Sequence, residues 1–254
     1  MLLLESYAMI RFCLFVIATL SPLAATAQDN ELTFRFGLGP SLEPGYFGDA
    51  DQDVGVAADF TLERLALGGL SFGGENRLGW GVSGSVRFIG ERDPADFEEL
   101  EGLPVIDPSL EVGGGVTYTA PDFTAFANLR YGVIGHESVV AEIGGDYLFY
   151  PRPDITIAVG PRAVWADDSF AQTYFGVTDA QSDASAFDSF DAQSGFVSAG
   201  VSVEATYDLN EDWQLIGSVR YDQLQGDAAD SPITESDEQV STSVVLTRRF
   251  SFNF

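Results

Sequence analysis

The sequence predicts an all-β, antiparallel transmembrane barrel of about twelve strands, with ten as the alternative. Three observations carry this. Apolar residues recur at every second position through most of the chain, the opposite positions hold full charges, and the chain ends on the stripe Phe250, Phe252, Phe254. A strand turns successive side chains to opposite faces, so a period of two means one greasy face and one polar face. A two-sheet sandwich shows the same alternation. Segment length, aromatic placement and loop asymmetry favour the barrel. The segments run about 9–12 residues, the length a tilted strand needs to cross a bilayer. Aromatics gather near segment ends, as Tyr118, Tyr131, Tyr147, Phe149, Trp165, Tyr207 and Trp213 do, where an interfacial girdle sits. Short turns ("TAPD", "YPRPD", "DLNED") alternate with longer polar loops at 90–108, 166–195 and 225–238, the asymmetry of an outer-membrane barrel.

The N-terminus differs from the rest. "MIRFCLFVIATLSPLAATAQDN" holds Arg11, an apolar run over 12–20, then Ala25, Thr26 and Ala27. A positive end, a short apolar run and small residues three and one positions before a cut describe a secretory signal peptide. Cleavage is expected after Ala27, with Met9 as an alternative start. The run is too short to serve comfortably as a membrane-spanning anchor. Residues 28–254 are expected to form one barrel domain. The single cysteine, Cys13, falls in the leader, so the mature chain is expected to have neither disulfides nor thiolate metal sites.

The strands follow in order. "TFRFGLG" sets Phe34, Phe36 and Leu38 against Arg35. "DVGVAADFTLE" sets Val54, Val56, Phe60 and Leu62 against Asp59 and Glu63. "RLALGGLSF" is a weak segment. "RLGWGVSGSVRF" sets Trp80, Val82, Val86 and Phe88 against Ser83, Ser85 and Arg87. "EVGGGVTYT" opposes Val112 and Val116 to Glu111, and "FTAFANLRYGV" opposes Leu129 and Tyr131 to Arg130. "VVAEIGGDYLF" opposes Ile143 and Tyr147 to Glu142 and Asp146. "DITIAVGPRAVW" offers Ile155, Ile157 and Val159. "FVSAGVSVEATY" sets Val197, Val201 and Val203 against Ser198, Ser202 and Glu204, and "DWQLIGSVRYD" sets Trp213, Leu215 and Val219 against Arg220 and Asp222. Those make eleven with the closing strand, and "SFAQTYFGV" at 169–177 is the candidate twelfth, because single-chain bacterial barrels normally have an even number. The closing Phe254 also matches the C-terminal signal read by outer-membrane insertion machinery. One misfit stands out: Arg248 shares parity with Leu246 and Phe250, which would cost roughly 2–4 kcal/mol at the bilayer midplane.

The chain has 39 acidic and 12 basic residues and a net charge of −27, and all 12 basic residues are arginine. Such a surface repels nucleic acid, so DNA or RNA is not an expected partner. Outer-membrane lipid is. Acidity at this level fits either a saline environment or divalent-cation contacts.

Three groups of residues are candidate sites. "GHES" brings together His136, Glu137 and Ser138, the residue types of a hydrolase. Neighbours on an extended chain face opposite ways and do not converge on one reacting atom, so loop structure is the preferred reading. "WADD" (Asp167, Asp168) and "DAAD" (Asp227, Asp230) offer hard oxygen ligands suited to calcium. Their spacing matches no EF-hand loop, and capping of turns is the preferred reading. The inward charges of both signs either line a narrow pore or pair into a plug; a small barrel favours the plug. The Ser/Asp/Ala-rich stretch 181–195 reads as a solvated external loop. No catalytic, cofactor-binding or metal-binding residue is assigned, and the chain is expected not to be an enzyme.

"GPRAVWADDSFAQTYFGVTDAQS" (160–182) resembles the signature of the MipA/OmpV family of outer-membrane proteins. "GPSLEPGYFGD", "GHESVVAEIGGDY" (135–147) and "YDQLQGDAADSPI" (221–233) agree with the family's pattern in order and spacing. The departures lie mainly in 64–108. The resemblance implies a barrel in the outer membrane of a Gram-negative bacterium. It also implies a scaffold role, since the family's namesake bridges a murein-cleaving lytic transglycosylase and a bifunctional murein synthase on the periplasmic side. Other members are described as adhesins or as affecting permeability to small solutes. The family supplies no catalytic residues to carry over.

Overall fold

The computed structural model describes residues 30–68, 70–73 and 78–254. The leader expected at 1–27 lies outside them. One antiparallel sheet holds eleven strands: β1 (Glu31–Pro44), β2 (Gln52–Leu67), β3 (Leu70–Gly73), β4 (Gly79–Ile89), β5 (Ser109–Ala120), β6 (Phe123–Ile134), β7 (Val139–Arg152), β8 (Ile155–Ala166), β9 (Gly195–Asp208), β10 (Trp213–Leu224) and β11 (Glu238–Asn253). Their spatial order is β3-β2-β1-β11-β10-β9-β8-β7-β6-β5-β4. The C-terminal strand therefore pairs with the N-terminal one, in a register that sets Phe34 opposite Phe250 and Leu38 opposite Leu246. That pairing curls the sheet into a nearly closed barrel. Its two edges meet where Gly84 of β4 faces Phe60 and Leu62 of β2. Closure matters because unpaired backbone groups in hydrocarbon cost several kcal/mol each.

Ten strands are long and β3 has four residues. The weak segment "RLALGGLSF" is the end of β2, a turn at Gly68 (φ +56°) and β3. The candidate twelfth strand is instead a helix, α1 (Asp168–Phe175). Its buried residues are Phe170, Ala171, Tyr174 and Phe175, spaced i, i+1, i+4, i+5. That is the face of a 3.6-residue period and not of a strand. Two short helices, α2 (Asp179–Ser182) and α3 (Asp227–Asp230), complete the loops.

The faces divide as the alternation predicts. Outward apolar side chains are bare around the barrel: Val54 and Trp80 are each 79% exposed, Leu129 58% and Phe252 51%. A protein in water does not present such a belt, and a lipid-facing barrel does. One strand departs from the expected pattern. Val197, expected to face lipid, is buried in the interior, while Phe196 faces out opposite Trp165. A register shift between Val164 and Trp165 reverses the local parity.

The two ends are unlike. The termini and the short turns at 121–122, 153–154 and 209–212 share one end, the turn end. The connections at 45–51, 90–108, 135–138, 167–194 and 225–237 share the other, the loop end. The apolar core lies at the loop end. There α1 packs against Val140, Val164 and Ala166 below it and against Val197, Leu224 and Ala228 beside it.

Candidate functional site

The polar faces of five strands converge on the lumen below α1. Glu111 of β5 is fully buried and accepts from three groups: Arg87 of β4 at 2.6 Å, Arg130 of β6 at 2.8 Å, and His136 Nε2 at 3.2 Å. Arg130 also donates to Glu142 of β7 at 2.8 Å and to Ser85 Oγ at 3.1 Å. Glu142 then accepts from Arg220 of β10 at 2.9 Å, and Arg220 pairs with Asp222. The chain of charges Arg87–Glu111–Arg130–Glu142–Arg220–Asp222 thus crosses the lumen from β4 to β10. In a second pair, one guanidinium nitrogen of Arg162, Nη2, donates to both carboxylate oxygens of Asp146 at 2.8 and 3.0 Å, and the guanidinium lies over the Phe126 ring. Paired and forked contacts of this kind offset the cost of holding charges away from bulk water.

The helix above is fixed by its own ends. Asp167 caps it, accepting from Phe170 N–H at 3.0 Å and from Val139 N–H at 2.8 Å. Arg92, from the 90–108 loop, donates to the Tyr174 carbonyl at 3.0 Å in the last turn, where a cation suits the helix dipole. Burial lowers the Arg92 guanidinium from its usual value to about 10. The rings of Phe170 and Tyr174 face His136 edge-on at 5.2 and 5.8 Å, and Arg87 sits over Phe170 at 5.8 Å. Tyr174 O–H shares a 3.1 Å hydrogen bond with Ser109, and burial raises its pKa. The helix and the ion chain are therefore one assembly, joined through His136 and Arg87.

His136 owes its place to two glycines. A Cβ on Gly132 would meet the imidazole at 2.5 Å. Gly135, at φ +87°, turns the chain where a Cβ would strike Ser109 Oγ at 2.0 Å. The ring's Nδ1 accepts from Ser138 N–H at 3.1 Å, so Nε2 carries the proton it donates to Glu111. "GHES" does not assemble into a His–Ser–acid constellation. Ser138 Oγ donates to the His136 carbonyl at 2.7 Å, and Glu137 is exposed. The acid that reaches His136 is Glu111, from another strand.

The acidic candidates do not gather into one site. Asp167 caps α1 as above. Asp168 accepts from Ser194 N–H at 2.6 Å, which holds its carboxyl below the usual range. Asp227 accepts from Gln193 N–H at 2.8 Å. These are the loop-amide bonds of the capping reading. A different trio comes together at the loop end: Asp49, Glu99 and Glu235, with ligand oxygens all within 4.8 Å of one another. Among the described residues this is the group whose geometry fits a hard divalent cation. Burial raises the Asp49 carboxyl, and the backbone amides of Asp51 and Gly45 offset part of that rise. Glu235 is raised by desolvation and then by the charge of Glu99. Tyr46 donates to Glu99 at 3.4 Å, and its phenol is also pushed up, first by burial. No spacing rule points to this trio, since its members come from three separate loops.

A nearly closed antiparallel barrel with a bare apolar belt, short turns at one end and an ion-paired lumen beneath a packed helix at the other is an outer-membrane β-barrel protein. The chain belongs to the MipA family: the family model described as MltA-interacting protein MipA matches residues 36–250. YiaT of Escherichia coli (strain K12), named for the outer membrane, is 29% identical over 99 residues. That match covers 39% of this chain and 39% of the relative. Among solved structures, an outer membrane channel from Pseudomonas putida F1 aligns with a TM-score of 0.44 at 9% identity, covering 91% of this chain and all of that one. Ail, the attachment invasion locus protein of Yersinia pestis, aligns with a TM-score of 0.27 at 16% identity, over 88% of this chain and all of that one.

Proposed function

We propose that this chain, after loss of its leader at 1–27, is a non-conducting and non-catalytic barrel that holds murein-remodelling enzymes at the periplasmic face of the outer membrane. The observation that carries this reading is the lumen, bridged from Arg87 to Asp222 by ion pairs and capped by α1. A bridged lumen suits anchoring better than passage. The family's description names an interaction with a murein enzyme, which supports the choice of partner.

The turn end is periplasmic in outer-membrane barrels, and here it is stiff and acidic. Arg35 donates to the carbonyls of Glu211 and Asp212 at 3.1 and 3.2 Å, fastening the 209–212 turn from inside. Asp122, Asp154, Glu211 and Asp212 lie at that rim, a surface that fits a basic face on the partner. The test is capture of a lytic transglycosylase and a bifunctional murein synthase on the immobilised, detergent-solubilised barrel, at low and high salt. Retention that weakens with salt is expected; passage of both enzymes unretained at low salt sinks the reading.

A second reading, permeation of small solutes, draws on the opposite lumen wall. Gly37, Gly39, Ser41, Ser218 and Ser243 face inward there and fill little space. Planar-bilayer recordings separate the two: silence supports the anchor, and steady unitary conductance supports the channel.

A further inference from the structure

Arg248 of β11 is exposed on the outward face. In register it lies opposite Trp213, the first residue of β10, immediately after the 209–212 turn. It therefore sits beside the periplasmic rim and not at the bilayer midplane, where the cost of an outward arginine is greatest; near the interface that cost falls to about 0–1 kcal/mol. Its guanidinium stands 5.5 Å from the Trp213 ring centre and 5.5 Å from that of Phe250. Stacking of this kind holds the planar group but leaves its edge donors free.

The rest of the molecule makes those free donors informative. Eight of the ten described arginines reach a carboxylate within 4.0 Å. Arg92 reaches a carbonyl instead. Arg248 has its two rings and, among the described residues, neither a carboxylate nor a carbonyl in reach. In a chain of net charge −27, an arginine without an acidic partner is placed where the anion comes from outside. At the level of an aromatic girdle, that anion is a phosphate at the headgroup layer.

We propose that Arg248, clamped between Trp213 and Phe250, is a binding site for the phosphate of a phospholipid in the periplasmic leaflet. The guanidinium forks onto two phosphate oxygens, while the rings and the neighbouring Leu246 meet the acyl chains. The site fixes the height of β11 in the membrane from the side next to the barrel's closing pair.

The test uses the full mature barrel in detergent, titrated with phosphatidylglycerol, with retained lipid counted by native mass spectrometry. Wild type is expected to hold one phospholipid more than Arg248→Gln at equal lipid, with affinity roughly tenfold higher, the loss of one charge-assisted contact. Equal retention by both overturns the proposal. Inorganic phosphate at matched concentration is expected not to displace the lipid; displacement would reassign the site to free phosphate and overturn the lipid assignment. If Arg248→Gln lacks the shifted gel mobility of a folded barrel, wild type is compared on phosphatidylglycerol and on diacylglycerol of the same chains. Preference for the phospholipid supports the site, and equal retention overturns it.

Discussion

The barrel holds two clusters of paired charge, and they live in different surroundings. At the loop end Glu111 is 0% exposed, Arg130 is 3% exposed, and α1 closes over both. At the turn end Glu63 accepts from Arg35 at 2.6 Å and forms an ion pair with Arg249 at 2.8 Å, but Glu63 is 25% and Arg249 33% exposed. The chemistry is the same and the solvation is not. Water and salt screen the turn-end pairs, whereas at the loop end a charge that loses its partner has nothing to replace it. One end is thereby locked by burial, and the other is fastened by pairs that water reaches.

The largest effect expected from breaking this contrast is at Glu111. Glu111→Ala leaves Arg87 and Arg130 short of an acceptor and removes the partner of His136 Nε2. The expected cost is about 3–5 kcal/mol. Glu63→Ala, in its partly solvated setting, is expected to cost under about 1 kcal/mol. Urea titration of both variants folded into vesicles, read by the gel-mobility shift of the folded form, measures the two. Equal losses would erase the distinction between the ends.

Next is the plug itself. Phe170 is 1% exposed and touches Phe47, Tyr174 and His136 ring to ring. Phe170→Ala is expected to cost about 3 kcal/mol through the cavity it leaves. It is also expected to raise current noise or brief openings in planar bilayers, against silence expected of wild type. Stability lost with silence kept would assign the seal to the ion chain alone.

How far these features are legible in the sequence depends on their range. The outward face is plain because lipid imposes a local rule: every second residue must be apolar, and Val54, Val56, Phe60 and Leu62 obey it. The lumen charges are equally visible as single residues. Their partners are not, because Glu142 and Arg220 meet across 78 positions and no local pattern encodes that. Alternation misleads at two places. "SFAQTYFGV" suits a strand only if its apolar residues are set against a period of two, whereas Phe170 with Tyr174, and Ala171 with Phe175, are four apart. Val197 keeps strand parity on paper, and the register shift beside Trp165 turns it inward. His136 stands out in the sequence for its immediate neighbours, while the group it bonds, Glu111, lies 25 positions away.

The smallest expected effect sharpens the contrast with pH. Asp49 and Glu235 both have raised pKa values, with burial first among the causes. A carboxyl whose folded pKa lies above its unfolded one binds more protons when folded. Its contribution to stability is therefore greatest at low pH and falls as pH rises past the ordinary carboxylate range, about 4. The loss is confined to the loops that bring Asp49, Glu99 and Glu235 together, because these charges repel one another there. Hydrogen exchange, corrected for its intrinsic pH dependence, should show the amides of 45–51 and 231–236 opening more readily near pH 7 than below about pH 4. The 209–212 turn, fastened by Arg35, should not change. Glu99→Gln removes one of the repelling charges and should reduce the response at 45–51, leaving the part that burial causes. If instead both ends respond alike, the sensitivity belongs to the net charge of the whole chain, and the crowding of these three carboxylates has no part in it.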